Sequence, residues 1–264
     1  MKGGRAGSLT AAGRAQSKAA GPRLLGYAFP LALLPPFPFD RRAMMTSAAG
    51  LIFDLDGTLI DSLPGIAASL NRALEAQGFD PHGHPDVRRF IGNGSYELAR
   101  KALPEGSAHE LILAVEEGFK RDYALTWPEG TAPYAGIPEL LDKLAVRGRQ
   151  RLAILSNKPH PFTVEIVARL FPGVPFDPVT GQREDLRRKP FPDAALWIAE
   201  KWALLPGQCL FIGDSTVDLE TARAAGMPPV ATAWGYHDAA ALLNAGASQV
   251  LEKVSDLDAF LETS

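Results

Sequence analysis

The chain has 264 residues, of which 46% are hydrophobic and 22% are charged, and its formal net charge is −3. This length and composition are typical of one or two folded domains, and the slightly negative charge argues against a nucleic-acid partner. A single cysteine, Cys209, excludes an intramolecular disulfide, and no uncharged apolar run reaches the ~20 residues that a membrane helix needs. We therefore expect a cytoplasmic protein with no membrane partner; the composition leaves its oligomeric state open.

The first 48 residues differ in composition from the rest. They contain seven basic residues and one acidic residue, Asp40, and the stretch 31–40 is rich in proline. Terminal segments of this kind are often disordered. We predict a disordered extension over residues 1–48, with the working protein beginning near Met44 or Met45; an organelle transit peptide is the alternative.

The next part of the chain begins with one apolar strand and continues with helical periodicity. The run Leu51–Leu55 predicts a strand. Segments with helical spacing follow it: Pro64–Gln77, Glu97–Leu103 and His109–Tyr123. No strand is evident between Pro64 and Trp127, so residues 65–131 are predicted to be a helical insert.

Strands and helices alternate again from residue 132 onward. The predicted helices are Pro138–Val146, Phe162–Leu170, Asp193–Leu204, Thr216–Ala225 and Leu257–Leu261. The predicted strands are Arg151–Leu155, Cys209–Ile212 and Val230–Ala233. This alternation predicts a parallel sheet with right-handed crossovers, whose ligands bind outside the carboxyl ends of the strands.

Two carboxylates lie at the end of the first predicted strand. Asp54 and Asp56 are two residues apart, so in extended chain they share one face and can address one site. Two neighbouring carboxylates repel each other, which makes a bound cation a natural third partner. A structural turn or a helix cap is the alternative interpretation.

Polar residues also follow the second and third strands. Ser156-Asn157-Lys158 reads as a polar turn whose hydroxyl, amide and backbone N–H groups suit phosphate oxygens, and a capping serine is the alternative. Lys189 can neutralise phosphate as a point cation, although most loop lysines are only solvated. Asp214 is placed to complete an oxygen-rich magnesium site, and Asp218 either supports that site or caps the next helix.

The order and position of these groups resemble the four motifs of the haloacid dehalogenase-like hydrolase superfamily. The matching segments are Asp54-Leu55-Asp56-Gly57-Thr58-Leu59, Ser156-Asn157-Lys158, Lys189-Pro190 and Gly213-Asp214-Ser215-Thr216-Val217-Asp218. The likeness extends to the phosphoglycolate phosphatases of that superfamily through Ile91-Gly92-Asn93-Gly94, Pro133-Tyr134-Ala135-Gly136-Ile137 and Asn157-Lys158-Pro159. It covers residues 50–261.

The resemblance implies an α/β fold. Its core is a Rossmann-like parallel sheet with helices on both faces, formed here by residues 49–64 and 132–264, with residues 65–131 as an inserted α-helical cap domain. It also implies a Mg²⁺-dependent phosphomonoester hydrolase acting on a small-molecule phosphomonoester, 2-phosphoglycolate above all, through an aspartyl-phosphate.

The resemblance assigns roles residue by residue. Asp54 is the expected nucleophile and Asp56 the acid and base. Asp54, the backbone carbonyl of Asp56 and Asp214 are the expected metal ligands, with Asp218 in support. The expected phosphate-binding residues are Thr58, Ser156, Asn157 and Lys189. Gly92, Asn93 and Gly94 are the expected cap residues near the substrate.

The sequence leaves other functions open. A sugar phosphomutase would share the core motifs, whereas a dehalogenase would have no need of a metal. A non-catalytic regulatory binding protein is the alternative from a different class. The insert is basic through Arg88, Arg89, Arg100 and Lys101, which suits a substrate carboxylate, or else these charges are simply solvated.

Overall fold

A computed structural model of the protein describes Met1 and residues 48–262. The predicted extension over residues 1–48 lies outside the described residues, except for Met1 and Ala48. Within the described part of the chain, no helix combines the length and the apolar character needed to cross a membrane.

The centre of the described chain is a six-stranded parallel sheet, as the alternation predicts. Its strands, in spatial order, are β5 (Phe176–Gln182), β4 (Arg151–Pro159), β1 (Gly50–Phe53), β6 (Cys209–Gly213), β7 (Pro229–Thr232) and β8 (Val250–Leu251). The chain builds outward from β1 to β5 and then returns to the other side of β1 through β6. A crevice therefore opens beyond the carboxyl end of β1, the usual ligand site of such sheets.

Helices cover both faces of the sheet because successive strand residues point to opposite faces. Leu51 and Phe53 belong to one buried cluster, whereas Ile52 belongs to another. The helices of the core are α5 (Ile137–Arg147), α6 (His160–Leu170), α7 (Asp193–Lys201), α8 (Thr216–Ala225), α9 (Ala239–Asn244) and α10 (Val254–Glu262). This arrangement confirms the predicted fold class.

The segment between β1 and α5 is helical. It contains α1 (Leu63–Glu75), α2 (His84–Phe90), α3 (Gly94–Ala102) and α4 (His109–Thr126). Two short antiparallel strands, β2 (Ile60–Asp61) and β3 (Ala132–Pro133), pair where this segment leaves and re-enters the core. The domain boundaries at 64/65 and 131/132 stay a prediction.

The structure differs from the predicted elements in several places. The strand β5 contains Pro178 and Gly181, which hid it from sequence patterns because both residues are poor strand formers. The helix α2 has a single buried residue, Val87, so it lacks an apolar stripe. The predicted polar turn at Ser156-Asn157-Lys158 is wrong, because β4 continues to Pro159, which pairs with Gln182 of β5.

Candidate active site

The polar residues that follow the strands line one cavity of about 300 Å³. Asp54 follows β1, Asp214 follows β6, and Ser156 lies near the end of β4. Lys189 reaches the same cavity from the loop before α7. The parallel sheet brings these residues together because the carboxyl ends of its strands meet at one edge.

Three buried carboxylates and one buried lysine form one cluster here: Asp54, Asp214 and Lys189 line the cavity, and Asp218 contacts Lys189 without lining it. Oxygen atoms of Asp54, Asp214 and Asp218 lie within 4.8 Å of one another. The Nζ atom of Lys189 lies 2.8 Å from Asp54 Oδ1 and 2.7 Å from Asp218 Oδ1. The lysine therefore links the carboxylate after β1 to the carboxylate on α8.

Burial governs the titration of these groups. Burial and the charge of Asp218 raise the pKa of Asp54 well above its usual range, and Lys189 offsets this only in part. Burial and Asp218 also raise the pKa of Asp214 to about 7. For Lys189, burial lowers the pKa, but the charges of Asp218 and Asp54 outweigh it and leave the pKa raised.

The described residues suit a hard divalent cation at this position. Asp54, Asp56, Asp214 and Asp218 bring four carboxylates to the site, whereas Lys158 and Lys189 are the two lysines paired with them. An oxygen-only donor set with an excess of negative charge is what Mg²⁺ prefers. A cation would also lessen the charge repulsion that raises the pKa values of Asp54 and Asp214.

Asp56 sits at one side of the cavity in a network of its own. Lys158 Nζ lies 2.9 Å from Asp56 Oδ1 and 3.2 Å from Oδ2. Ser62 Oγ donates to Oδ1 at 2.5 Å. The ammonium of Lys158 also lies 4.7 Å from the ring centre of Tyr123 on α4, so this lysine contacts both the core carboxylate and the helical insert.

Asn157 connects the insert to the loop that carries Lys189. Its Nδ2 donates to the carbonyl oxygens of Gly92 and Lys189, each at 2.9 Å. Its Oδ1 accepts from the backbone N–H of Lys189 at 2.9 Å. Gly92, Asn93 and Gly94 all line the cavity.

Thr58 and Asp218 both hydrogen-bond within or next to this cluster of carboxylates. The Thr58 hydroxyl is fully buried and donates to Asp214 Oδ1 at 2.9 Å; Thr58 is not among the residues that line the cavity. The second oxygen of Asp218 accepts from the backbone N–H and the hydroxyl of Ser215. Asp218 therefore both contacts Lys189 and caps α8.

The loop after β7 contains functional candidates that the sequence reasoning missed. The backbone N–H of Tyr236 donates to Asp214 Oδ2 at 2.7 Å, and the indole of Trp234 donates to the carbonyl oxygen of Thr58. His237 Nδ1 accepts from the backbone N–H of Thr216 at 3.1 Å. The available signal was positional, because this loop follows a predicted strand of the same sheet.

The basic residues of the insert have different environments. Arg89 and Lys101 line the cavity. Arg88 instead donates to the carbonyl oxygens of Gly235 and Tyr236, and Arg100 pairs with Glu97 on its own helix. Two of the four residues therefore line the cavity, and one of them, Arg89, also pairs with Asp86 on its own helix.

Residues 51–232 match the haloacid dehalogenase-like hydrolase family. A phosphoglycolate phosphatase from Pectobacterium atrosepticum is 34% identical over 218 residues, which cover 81% of this chain and 93% of the relative. A phosphoglycolate phosphatase from Escherichia coli is 32% identical over 228 residues, covering 79% and 90% of the two chains. The crystal structure of a protein from Lactobacillus delbrueckii, provisionally assigned as a phosphoglycolate phosphatase, superposes with a TM-score of 0.77 at 29% identity. It covers 82% of this chain and 99% of that one. The chain thus belongs to the haloacid dehalogenase-like hydrolase family, as an enzyme of its phosphatase type similar to the phosphoglycolate phosphatases.

Proposed function

We propose that the protein is a Mg²⁺-dependent phosphomonoester hydrolase that acts on 2-phosphoglycolate, or a closely similar small metabolite, through an aspartyl-phosphate at Asp54. The observation that carries this proposal is the joint placement of Asp54, Asp56 and Lys189 in one cavity. The similarity to phosphoglycolate phosphatases supports 2-phosphoglycolate as the proposed substrate.

The proposed reaction has two steps at Asp54. A carboxylate oxygen of Asp54 bonds to phosphorus while the bond from phosphorus to the leaving oxygen breaks, and Asp56 gives that oxygen a proton. Water then attacks phosphorus and Asp56 takes up the water's proton, which releases inorganic phosphate and free Asp54. A covalent intermediate divides one difficult hydrolysis into two easier steps.

The proposed cofactor is Mg²⁺. Asp54, Asp214 and the backbone carbonyl of Asp56 would hold it, and the ion would offset negative charge on the phosphoryl oxygens. Asp218 supports the site by holding Lys189, an arrangement consistent with their 2.7 Å contact.

The remaining roles follow the contacts. Ser156 and Lys189 are proposed to bind the phosphoryl oxygens, and Asn157 supports them by fixing the Lys189 backbone. The buried hydroxyl of Thr58 supports a role in orienting Asp214 rather than direct contact with phosphate. Gly92, Asn93 and Gly94 are proposed to shape the substrate side of the cavity.

Phosphate release from a substrate panel tests the proposal. The panel contains 2-phosphoglycolate, sugar phosphates, nucleoside monophosphates and pyrophosphate, each with Mg²⁺ and with chelator. We expect metal-dependent release that favours 2-phosphoglycolate and disappears in Asp54→Asn, whereas Asp185→Asn, at an exposed ion pair with Arg183, keeps it. No release from any substrate by folded, metal-loaded protein would contradict a simple phosphatase and favour a mutase or a binding protein.

A further inference from the structure

Tyr236 contacts two different parts of the catalytic centre. Its backbone N–H donates to Asp214 Oδ2 at 2.7 Å. Its hydroxyl lies 2.9 Å from Ser62 Oγ, which lies 2.5 Å from Asp56 Oδ1. One residue of the loop after β7 thus contacts Asp214, the carboxylate after β6, directly and Asp56, the second carboxylate of the first motif, through one serine.

The two side-chain hydrogen bonds that link Tyr236, Ser62 and Asp56 run in one direction, from Tyr236 toward Asp56. A carboxylate only accepts, so Ser62 uses its one hydroxyl proton on Asp56. Tyr236 must therefore donate to Ser62 Oγ, and its oxygen is free to accept from the backbone N–H of Ser62 at 3.3 Å. Ser62 is fully buried, and Tyr236 is partly buried and lines the cavity.

This direction distinguishes the two oxygens of Asp56. Oδ1 accepts from Ser62 at 2.5 Å and from Lys158 at 2.9 Å, whereas Lys158 lies farther from Oδ2, at 3.2 Å. An oxygen that already accepts two short hydrogen bonds is the less available one for a proton. The network therefore leaves Oδ2 as the oxygen that exchanges a proton with the leaving group and with water.

The same loop is attached to the helical insert. Arg88 of α2 donates from Nε to the carbonyl oxygen of Tyr236 at 2.5 Å and from its terminal nitrogen to that of Gly235 at 2.7 Å. Hydrogen bonds thus connect α2 to Tyr236, and connect Tyr236 to Asp214 directly and to Asp56 through Ser62.

We propose that Tyr236 is a positioning residue that acts through Ser62 to fix the acid and base carboxylate of Asp56, with Oδ2 as the proton-exchanging oxygen. This inference rests on the proposed role of Asp56 in phosphomonoester hydrolysis. It adds a tyrosine–serine pair from two distant parts of the chain to the catalytic apparatus.

The test compares two small substrates that differ in their need for an acid. Glycolate leaves 2-phosphoglycolate as an alkoxide that requires a proton, whereas acetate leaves acetyl phosphate as a stable anion. The ratio kcat/KM reports only the steps up to the first irreversible one, so for acetyl phosphate it does not depend on the later role of Asp56 as a base. General acid catalysis typically contributes about 10²–10⁴-fold, and loss of its positioning should remove part of that.

We expect full-length Tyr236→Phe to lose about tenfold in kcat/KM for 2-phosphoglycolate and to keep its value for acetyl phosphate. Ser62→Ala should give the same pattern. The double variant should lose no more kcat/KM for 2-phosphoglycolate than either single variant, because both changes interrupt the same series of hydrogen bonds. Tyr96→Phe is the matched control, since its hydroxyl contacts His109 at 3.0 Å on the insert instead.

Two results would overturn the inference. One is an equal loss of kcat/KM on both substrates, and the other is an unchanged kcat/KM for 2-phosphoglycolate in Tyr236→Phe or in Ser62→Ala. If the wild type hydrolyses neither substrate, the proposed function itself fails, and this outcome is distinct from both. Retained acetyl phosphate hydrolysis also shows that a variant is folded.

Discussion

Lys158 and Asp56 form an enclosed ion pair, with 2.9 Å between Lys158 Nζ and Asp56 Oδ1 and side chains that are 6% and 12% exposed. Burial lowers the pKa of Lys158, but the charges and hydrogen bonds of Asp56 and Tyr123 together outweigh it and leave that pKa raised. The lysine is therefore charged, and it lies against the carboxylate proposed to exchange protons. The third residue of the second motif is thus in direct contact with a carboxylate of the first motif.

Lys158→Met tests this pair. Removing one partner of a buried ion pair leaves the other charge uncompensated, so we expect a loss of about 3–5 kcal/mol in the free energy of unfolding, together with a large loss of activity. Urea denaturation and phosphate release measure the two effects. Lys143→Met is the control, because its pair with Asp258 has a lysine side chain that is 52% exposed and should change stability by about 1 kcal/mol or less.

Gly235→Ala tests how closely the loop after β7 approaches the acidic centre. A Cβ atom at this position would lie 2.1 Å from the carbonyl oxygen of Gly57 and 2.4 Å from Asp214 Oδ2. The loop must therefore move, and we expect weaker Mg²⁺ binding and at least a tenfold loss of activity. Titration of Mg²⁺ followed by thermal stability measures the first effect.

Gly173→Ala is the matched control for that substitution. A Cβ atom at Gly173 would meet no heavy atom within 4 Å, so stability and metal binding should stay unchanged. Wild-type behaviour of Gly235→Ala would show that the loop does not constrain Asp214.

Asp214→Asn separates the cost of a buried charge from the benefit of a metal. The pKa of Asp214 is raised to about 7, so the folded state binds more protons than the unfolded state above the ordinary value of 3.8. With chelator present, stability of the wild type relative to the variant should therefore fall as pH rises from about 4 to 7. At pH 7, Mg²⁺ should stabilise the wild type and stabilise the variant far less; equal stabilisation of both would contradict a metal role for Asp214.

His237 should give the opposite pH dependence. Burial lowers its pKa, with Asp218 opposing and Arg88 reinforcing the shift, so the unfolded state binds more protons below the ordinary value of 6.5. In metal-free protein, stability of the wild type relative to His237→Gln should rise as pH increases from about 5 to about 6.5 and then level off. The free energies of unfolding are measured by chemical denaturation. A difference between wild type and variant that does not change across that pH range would contradict a lowered pKa for His237.

Arg89 and Lys101 should favour an anionic leaving group. Both line the cavity from the insert, and a charge-assisted contact with the carboxylate of 2-phosphoglycolate is absent with 2-hydroxyethyl phosphate, whose leaving group carries no carboxylate. We expect Arg89→Gln and Lys101→Gln each to lower the ratio of kcat/KM for these two substrates by about tenfold, or about 1.4 kcal/mol. Arg100→Gln, which removes a surface pair with Glu97, should leave the ratio unchanged.

Sequence alone determined the fold class and the residues at the strand ends. Buried parallel strands such as Cys209–Gly213 are short apolar runs that stand out from the helical segments around them. Polar residues directly after such runs, as at Asp54 and Asp214, lie at the edge where parallel strands end. Strand and helix periodicity is local, so these features can be read without knowing any long-range contact.

Tertiary structure alone decided which of these groups interact. The Tyr236–Ser62–Asp56 chain joins residues 174 positions apart, and the Lys158–Asp56 pair joins residues 102 positions apart. Neither contact follows from periodicity, because each depends on the order in which the strands lie in the sheet. The strand β5 was likewise hidden, since pairing with β4 outweighs the poor strand propensity of Pro178 and Gly181.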